Sequence, residues 1–184
     1  MSRSRPKTIG RRRLGVAFLF LAAALLLAPQ YVRPAPAAAE PIKIDRQLLN
    51  GPTQSHPPVR VVIPSLNLDL PVVVAKVVGG YWELSEKSAS YGAGSGYPGA
   101  GGNVVIFAHA REGLFLPLRQ VQKDMIVYVL TDTTWHSYKV VDVKLVDPSQ
   151  VETILPASNE RLTLFTCSGF MDSQRLIVTA IPPR

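Results

Sequence analysis

The sequence predicts an all-β domain, either a closed barrel or a sandwich, which follows an N-terminal membrane segment and a proline-rich spacer. Two observations predict the fold class. Beyond residue 58 the Val- and Ile-rich segments are short, and turn-forming residues interrupt them about every ten positions. A chain of 184 residues suits one such domain with an appendage better than it suits two domains.

The N-terminus predicts a membrane anchor. Residues 1–13 carry six basic residues and no acidic one, and the fifteen residues Leu14–Ala28 carry no charge. We therefore interpret 1–13 as a basic cytoplasmic segment and 14–32 as a single transmembrane helix, since basic residues stay on the cytoplasmic side. A cleaved signal peptide is the alternative, with the three alanines 37–39 as its small-residue site. Both interpretations place the domain outside the cytoplasm.

A spacer follows, over residues 33–57. Seven prolines lie between positions 29 and 58, among alanine, glycine and polar residues without a sustained apolar period. This composition is typical of an extended linker. The folded domain is then expected over residues 58–184, which is long enough to bury a core without disulfides.

Seven strands are predicted in the domain, near residues 59–63, 70–75, 103–109, 125–131, 136–146, 161–166 and 174–181. The segment Tyr91–Gly102 contains six glycines and is predicted to be a loop. Only Gly113–Val121 is expected to form a helical turn, which Pro117 keeps short.

The charge distribution argues against nucleic-acid binding. The formal net charge is +7, but residues 58–184 hold 11 basic and 11 acidic side chains. A nucleic-acid-binding domain would carry its basic surface on the folded part, because phosphate contacts supply most of the affinity. The sequence also has neither a His/Cys cluster nor a carboxylate loop with calcium spacing, so no metal or cofactor is expected.

Cys167 is the only cysteine of the chain. In an exported domain it cannot form an intramolecular disulfide, although disulfides are common in that compartment. It ends the alternating segment RLTLFTC (161–167), so it is expected at the end of a strand. The thiol is either a small buried apolar side chain or a nucleophile.

Arg175 is expected to lie near this thiol. The next predicted strand, QRLIVTA, starts at Gln174, so a short connection would return Arg175 to Cys167 across neighbouring strands. A fixed cation there would lower the pKa of the thiol and could stabilise an oxyanion. The alternative is a surface cation with an unrelated partner.

His109 is the best candidate for a general acid and base among three histidines. It closes the segment NVVIFAH (103–109) and is expected at a strand end, whereas His56 lies in the spacer and His136 on a strand face. With an exported thiol and a strand-end arginine, His109 would complete a nucleophilic site. The spacing alone leaves open whether the three residues converge, and His109 could also be structural or simply exposed.

These segments together resemble the sortase family. LTLFTC is followed by an arginine at the eighth position, in QRLIVTA, and GGNVVIFAH lies upstream. The similarity also includes VRVVIPSLNLDLPVV at 59–73 and YPGAGGN at 97–103, in the family's order. It covers essentially all of residues 58–184, and its three-part motif is specific.

The resemblance implies a closed eight-stranded β-barrel in which Cys167, His109 and Arg175 occupy the family's catalytic positions. Sortases cleave an LPxTG-type sorting signal at the C-terminus of a protein substrate, between Thr and Gly, through a thioacyl enzyme. An amine from a cell-wall precursor or a pilin lysine then releases the protein. Thr166 matches a position that lines the acyl site. The resemblance thus implies a cell-membrane enzyme whose catalytic domain is extracytoplasmic.

Several features differ from the family's pattern. Ala108 and Ala110 flank the histidine where many members have Gly before it and Arg after it. The spacer has no Asp-Pro-aromatic lid motif, and no second apolar span follows the domain, which favours an anchoring enzyme of class D or E over a pilin polymerase. Two other functions stay open: a cysteine hydrolase with the same residues, and a noncatalytic exported barrel in which Cys167 is inert.

Overall fold

The computed structural model describes residues 56–183 as a β-barrel with short 3₁₀ turns. These residues form ten strands: β1 (Arg60–Ile63), β2 (Leu68–Ala75), β3 (Val77–Val78), β4 (Tyr81–Trp82), β5 (Ala89–Gly92), β6 (Asn103–Phe107), β7 (Ile126–Leu130), β8 (Trp135–Val146), β9 (Arg161–Ser168) and β10 (Gln174–Ile181). Eight close into a barrel in the order β1-β2-β5-β6-β9-β10-β8-β7, and β3 and β4 pair separately. The predicted all-β, eight-stranded fold class is confirmed.

The predicted segments 1–13 and 14–32, and all but the last two residues of the spacer 33–57, lie outside the described residues. Between residues 56 and 183, no helix is both long enough and apolar enough to cross a bilayer.

Two of the eight barrel pairings are parallel, β2 with β5 and β6 with β9. The second aligns Phe107 with Phe165, so the carboxyl ends of β6 and β9 lie at the same end of the barrel. Parallel strands need a long crossover connection, and here residues 108–160 form it. Residues that follow β6 therefore lie beside residues at the end of β9.

Alternating side chains of the barrel strands build two cores. The inner core fills the barrel with apolar side chains from all eight barrel strands, including Val61, Tyr91, Ile106, Leu164 and Val178. A smaller outer core covers one side of the barrel, with Ala75, Trp82, Val105, Phe107, Val146, Ile154, Phe165 and Ile177. β6 and most of β9 are consequently buried on both faces, which explains why their sequences are continuously apolar rather than alternating.

The prediction of a loop over Tyr91–Gly102 is wrong at its start, because Tyr91 and Gly92 belong to β5. The ring of Tyr91 is 1% exposed, and its hydroxyl donates to the carbonyl oxygens of Ser95 and Gly96 at 2.9 and 3.1 Å. Burial of a large aromatic ring with a satisfied hydroxyl outweighs the low strand propensity of the neighbouring glycines. This strand completes the barrel.

The prediction of a single helical turn is also wrong. In the described part of the chain there are four 3₁₀ turns, at Pro64–Leu66, Leu116–Gln120, Val151–Ile154 and Phe170–Asp172. Each has only three to five residues, which is too short for a periodic apolar pattern to show in the sequence. The second lies within the predicted segment Gly113–Val121.

Candidate active site

Cys167 and Arg175 lie directly opposite each other in the antiparallel pair of β9 and β10. Side chains at such positions point to the same face, with Cβ atoms about 5 Å apart. This face is the outer one, because Phe165 and Ile177, two residues along each strand, belong to the outer core. Cys167 is half-buried, and Arg175 is only 5% exposed.

His109 lies two residues beyond the end of β6 and is tied to β9 by its neighbours. The amide of Ala108 donates to the carbonyl of Phe165 at 3.4 Å, and the carbonyl of His109 accepts from the amide of Phe115 at 3.0 Å. The parallel register ends at the pair Phe107 and Phe165, so His109 and Cys167 each lie two residues beyond that last pair. The structure therefore brings His109, Cys167 and Arg175 to one end of the barrel.

Thr166 faces the opposite side from Cys167. It is 1% exposed and pairs with Leu176 of the inner core. Its hydroxyl donates to the carbonyl of Ala108 at 2.7 Å. Thr166 thus holds the segment that carries His109. The expected contact of Thr166 with an acyl group stays a prediction.

The guanidinium of Arg175 is held by backbone carbonyls. Its Nη1 donates to the carbonyl oxygens of Asp172 at 2.9 Å and of Gln174 at 3.1 Å. Within residues 56–183 it forms no ion pair with a carboxylate. A nearly buried cation that is hydrogen-bonded but has no paired charge is suited to bind a developing anion or a peptide carbonyl.

The connection between β9 and β10 has a left-handed backbone at Met171 and Asp172, with φ values of 53° and 59°. Each non-glycine residue in this region costs roughly 1–2 kcal/mol. The conformation turns the carbonyl of Asp172 toward Arg175, so the hydrogen bond to the guanidinium is one contact that offsets the cost. Phe170, at the tip of this connection, is 86% exposed.

Burial raises the pKa of the Cys167 thiol above its ordinary value. The positive charge of Arg175 acts in the opposite direction, and the negative charge of Asp172 adds to the increase. The thiol is therefore mainly protonated in the free protein, and a base is needed to generate the thiolate.

Glu86, which the sequence did not indicate as a site residue, contacts His109 through its carboxylate. Its Oε1 lies 3.1 Å from Nε2 of His109, and its Oε2 lies 3.0 Å from Nη2 of Arg111. Hydrogen bonding and the charge of His109, followed by Arg111, lower the pKa of Glu86. The only signal in the sequence was its position just before β5, the strand that the prediction did not include.

Stacked aromatic rings form the outer core next to this site. Phe107 stacks on Phe165 with ring centroids 4.9 Å apart, and Trp82 stacks on Phe107 at 5.6 Å. Trp82 also lies against Gly92, where an added Cβ would be 2.5 Å from the indole ring. The short β3–β4 hairpin therefore packs tightly on β5 and supports the strands that lead to His109 and Cys167.

The other two histidines lie at the opposite end of the barrel. Nδ1 of His56 is 2.7 Å from Oδ1 of Asp132, and His136 packs on Gly99. Both histidines line a hollow of about 240 Å³. Among the described residues no group of three His, Cys, Asp or Glu side chains could hold a metal ion.

Comparison with known proteins identifies the family. Residues 61–182 match the sortase domain family. The chain is 30% identical to sortase A of Streptococcus agalactiae serotype III (strain NEM316), over 72% of this chain and 57% of that protein. It thus spans 57% of the length of this curated relative.

Solved sortase structures have the same fold. Sortase A from Corynebacterium diphtheriae is 25% identical, with a TM-score of 0.60 over 72% of this chain and 63% of that chain. Sortase C-1 from Actinomyces oris is 26% identical, with a TM-score of 0.59 over 68% and 72% of the two chains. With a thiol, an imidazole and a guanidinium at one end of the same barrel, and with a domain match over most of its length, this chain belongs to the sortase family.

Proposed function

We propose that this chain is a cysteine transpeptidase that transfers proteins bearing a C-terminal sorting signal to an amine acceptor of the cell envelope. The observation that carries the proposal is the register of β9 and β10, which sets Arg175 opposite Cys167, with His109 at the adjoining end of β6. A nucleophile, a base and an anion-binding group at one site are the requirements of acyl transfer through a thioester.

Each residue then has a defined role. His109 takes the proton of the Cys167 thiol, and the thiolate attacks the carbonyl carbon of Thr in an LPxTG-like signal. As the Thr–Gly bond breaks, His109 protonates the leaving amine and a thioacyl enzyme forms. Arg175 supports the substrate and the oxyanion, and Thr166 acts behind the acyl site, where its hydroxyl holds the carbonyl of Ala108. The incoming amine is then deprotonated by His109 and releases the protein from Cys167.

Partners and location follow from the same proposal. Residues 1–13 stay in the cytoplasm, 14–32 form a single-pass anchor, 33–57 form the spacer and 58–184 form the extracytoplasmic catalytic domain. The acceptor amine comes from a cell-wall precursor or a pilin. The absence of an Asp-Pro-aromatic lid motif in the spacer sequence favours an anchoring enzyme of class D or E over a pilin polymerase.

The test uses the protein, an LPxTG peptide and an amine nucleophile. We expect release of the fragment that begins at Gly, a mass increase on Cys167 equal to the acyl part, and a transfer product only when the amine is present. Cys167→Ala should abolish all three while the circular dichroism spectrum stays unchanged, because loss of one sulfur at a half-buried position has a small packing cost. Turnover in a folded Cys167→Ala variant would exclude the assignment.

The two alternative functions give different products in the same assay. A cysteine hydrolase would release the Gly fragment but transfer nothing to the added amine. A noncatalytic barrel that binds a peptide or a wall polymer would retain the peptide intact and form no acyl adduct.

A further inference from the structure

The carboxylate of Glu86 is fixed between His109 and Arg111 at the edge of the candidate site. One oxygen lies 3.1 Å from Nε2 of His109 and the other lies 3.0 Å from Nη2 of Arg111. The same Nη2 donates to the backbone carbonyl of Glu86. Because both oxygens have a partner, the plane of the carboxylate is set relative to the imidazole ring.

The loop that carries Glu86 is itself anchored to the barrel. Oγ of Ser85 accepts from the amides of Lys87 and Ser88 at 3.3 and 3.2 Å. The amide of Ser85 donates to Oγ of Ser90 at 3.0 Å, and Ser90 is a fully buried residue of β5. Side-chain to backbone bonds of this kind define a turn locally. Glu86 thus extends from an ordered turn.

The contact assigns a direction to the hydrogen bond. The pKa of Glu86 is lowered by its hydrogen bond with His109, by the charge of His109 and by Arg111, so the carboxylate is ionised at neutral pH. An ionised carboxylate only accepts hydrogen bonds, so Nε2 of His109 must carry the hydrogen. Within residues 56–183 no group hydrogen-bonds to Nδ1 of His109, which leaves this nitrogen available.

We infer, on the basis of the proposed function, that Glu86 is a positioning residue that holds His109 in the tautomer with hydrogen on Nε2 and leaves Nδ1 to exchange the proton. The proton of the Cys167 thiol passes to Nδ1, giving a thiolate and an imidazolium. As the acyl C–N bond breaks, the same proton passes from Nδ1 to the leaving amine. The hydrogen on Nε2 stays on that nitrogen throughout and is donated to the carboxylate of Glu86.

The role of Glu86 is expected in the chemical step rather than in folding. Its side chain is 68% exposed and that of His109 is 31% exposed. Ion pairs at such exposure contribute little to stability. A fixed tautomer instead removes the ring orientations in which the wrong nitrogen faces the reacting groups.

Nitrogen-15 NMR of the full chain in detergent micelles tests the tautomer directly. The protein has three histidines, so selective labelling gives three rings, and His109→Gln identifies the signal of His109. At a pH where the ring is neutral, we expect the Nε2–H tautomer in the wild type and in Glu86→Gln, whose amide oxygen still accepts. Glu86→Ala should give a mixture of the two tautomers.

Kinetics with an LPxTG peptide supply the second measurement. Glu86→Ala should lower kcat roughly ten-fold with little change in KM, and Glu86→Gln should retain more activity, since general acid–base catalysis depends on the orientation of the ring. Glu112→Ala is the matched control, because this exposed carboxylate lies three residues from His109 and has no hydrogen bond or ion pair within the described part of the chain.

The outcomes separate this inference from the proposed function. A wild-type tautomer or a wild-type kcat in Glu86→Ala would overturn the positioning role, and so would an equal loss in Glu112→Ala. If the wild-type protein cleaves no sorting peptide, the proposed function fails, while the NMR measurement still decides whether Glu86 fixes the ring of His109.

Discussion

The guanidinium of Arg175 donates to the carbonyl of Asp172, the residue whose carboxylate also raises the pKa of Cys167. Asp172 therefore raises the pKa of the Cys167 thiol and Arg175 lowers it, although the backbone carbonyl of Asp172 holds the guanidinium of Arg175 in place. The conformation of the β9–β10 connection sets both the position of the cation and the distance of the acidic side chain from the thiol.

The reactivity of Cys167 should reflect these opposing charges. Removing the negative charge in Asp172→Asn should move the pH midpoint of iodoacetamide alkylation to lower pH, because Asp172 raises the pKa of the thiol. Removing the positive charge in Arg175→Gln should move the midpoint to higher pH. Asp132→Asn, at the other end of the barrel, is the control. Shifts in the same direction for both variants would contradict the opposing roles.

Arg175→Lys should resemble Arg175→Ala more closely than the wild type. Nη1 already donates to two carbonyl oxygens, so under the proposed function the other donors of the planar group bind the substrate, and lysine lacks this fork. Loss of one oxyanion donor costs on the order of 10²–10³ in rate, which should appear mainly in kcat. A folded Arg175→Lys protein with a kcat close to the wild-type value would show that positive charge alone is sufficient.

Thr166→Val should destabilise the fold by about 1–3 kcal/mol, because it leaves the buried carbonyl of Ala108 without its donor. Urea denaturation measures the change in the free energy of unfolding. Thr166→Ser keeps the hydroxyl and should therefore lower the free energy of unfolding less than Thr166→Val does. If valine and serine cost the same, the hydrogen bond is not the source of the effect.

Gly92→Ala should cost roughly 1–3 kcal/mol through overpacking, since the new Cβ would lie 2.5 Å from the ring of Trp82. In a Trp82→Ala background the same substitution should be nearly neutral. A double-mutant cycle measured by denaturant unfolding gives this coupling. Equal costs in the two backgrounds would mean that the close contact with Trp82 does not limit residue 92.

Residues 58–184 should fold without the preceding segments. The amide of Val59 donates to the carbonyl of Leu130 at 2.8 Å, so the barrel begins almost at this boundary. The fragment also has balanced charge, with 11 basic and 11 acidic residues. We expect a soluble protein with a β-rich circular dichroism spectrum and one cooperative thermal transition. A disordered spectrum would move the domain boundary toward the N-terminus.

The sequence predicted seven of the eight barrel strands, because most of them alternate or are continuously apolar between turn residues. It did not predict β5, whose four residues include a glycine and which depends on the buried ring of Tyr91. Short strands of this kind form through tertiary contacts that a local pattern does not contain. The resemblance to the sortase family predicted that the barrel has eight strands, but it did not predict where the eighth lies.

The candidate site could be predicted only in part, because some of its residues meet through non-local strand pairing. Cys167 and Arg175 lie on strands joined by a short connection, so their proximity follows from local pairing. His109 reaches them through the parallel pairing of β6 and β9, which are far apart in sequence. Glu86 depends on the pairing of β5 with β6, since Ser90 lies opposite Phe107. The pairing of strands that are far apart in sequence is therefore the part of the site that the residues alone could not predict.

The burial of β6 and β9 on both faces also determines which positions of this domain tolerate substitution. Substitutions inside these strands disturb packing on one face or the other, so they should destabilise the fold. The segments around Glu86 and Phe170 lie beyond the strand ends and are largely exposed. Substitutions in these segments can therefore change the surroundings of the candidate site while the barrel itself remains unchanged.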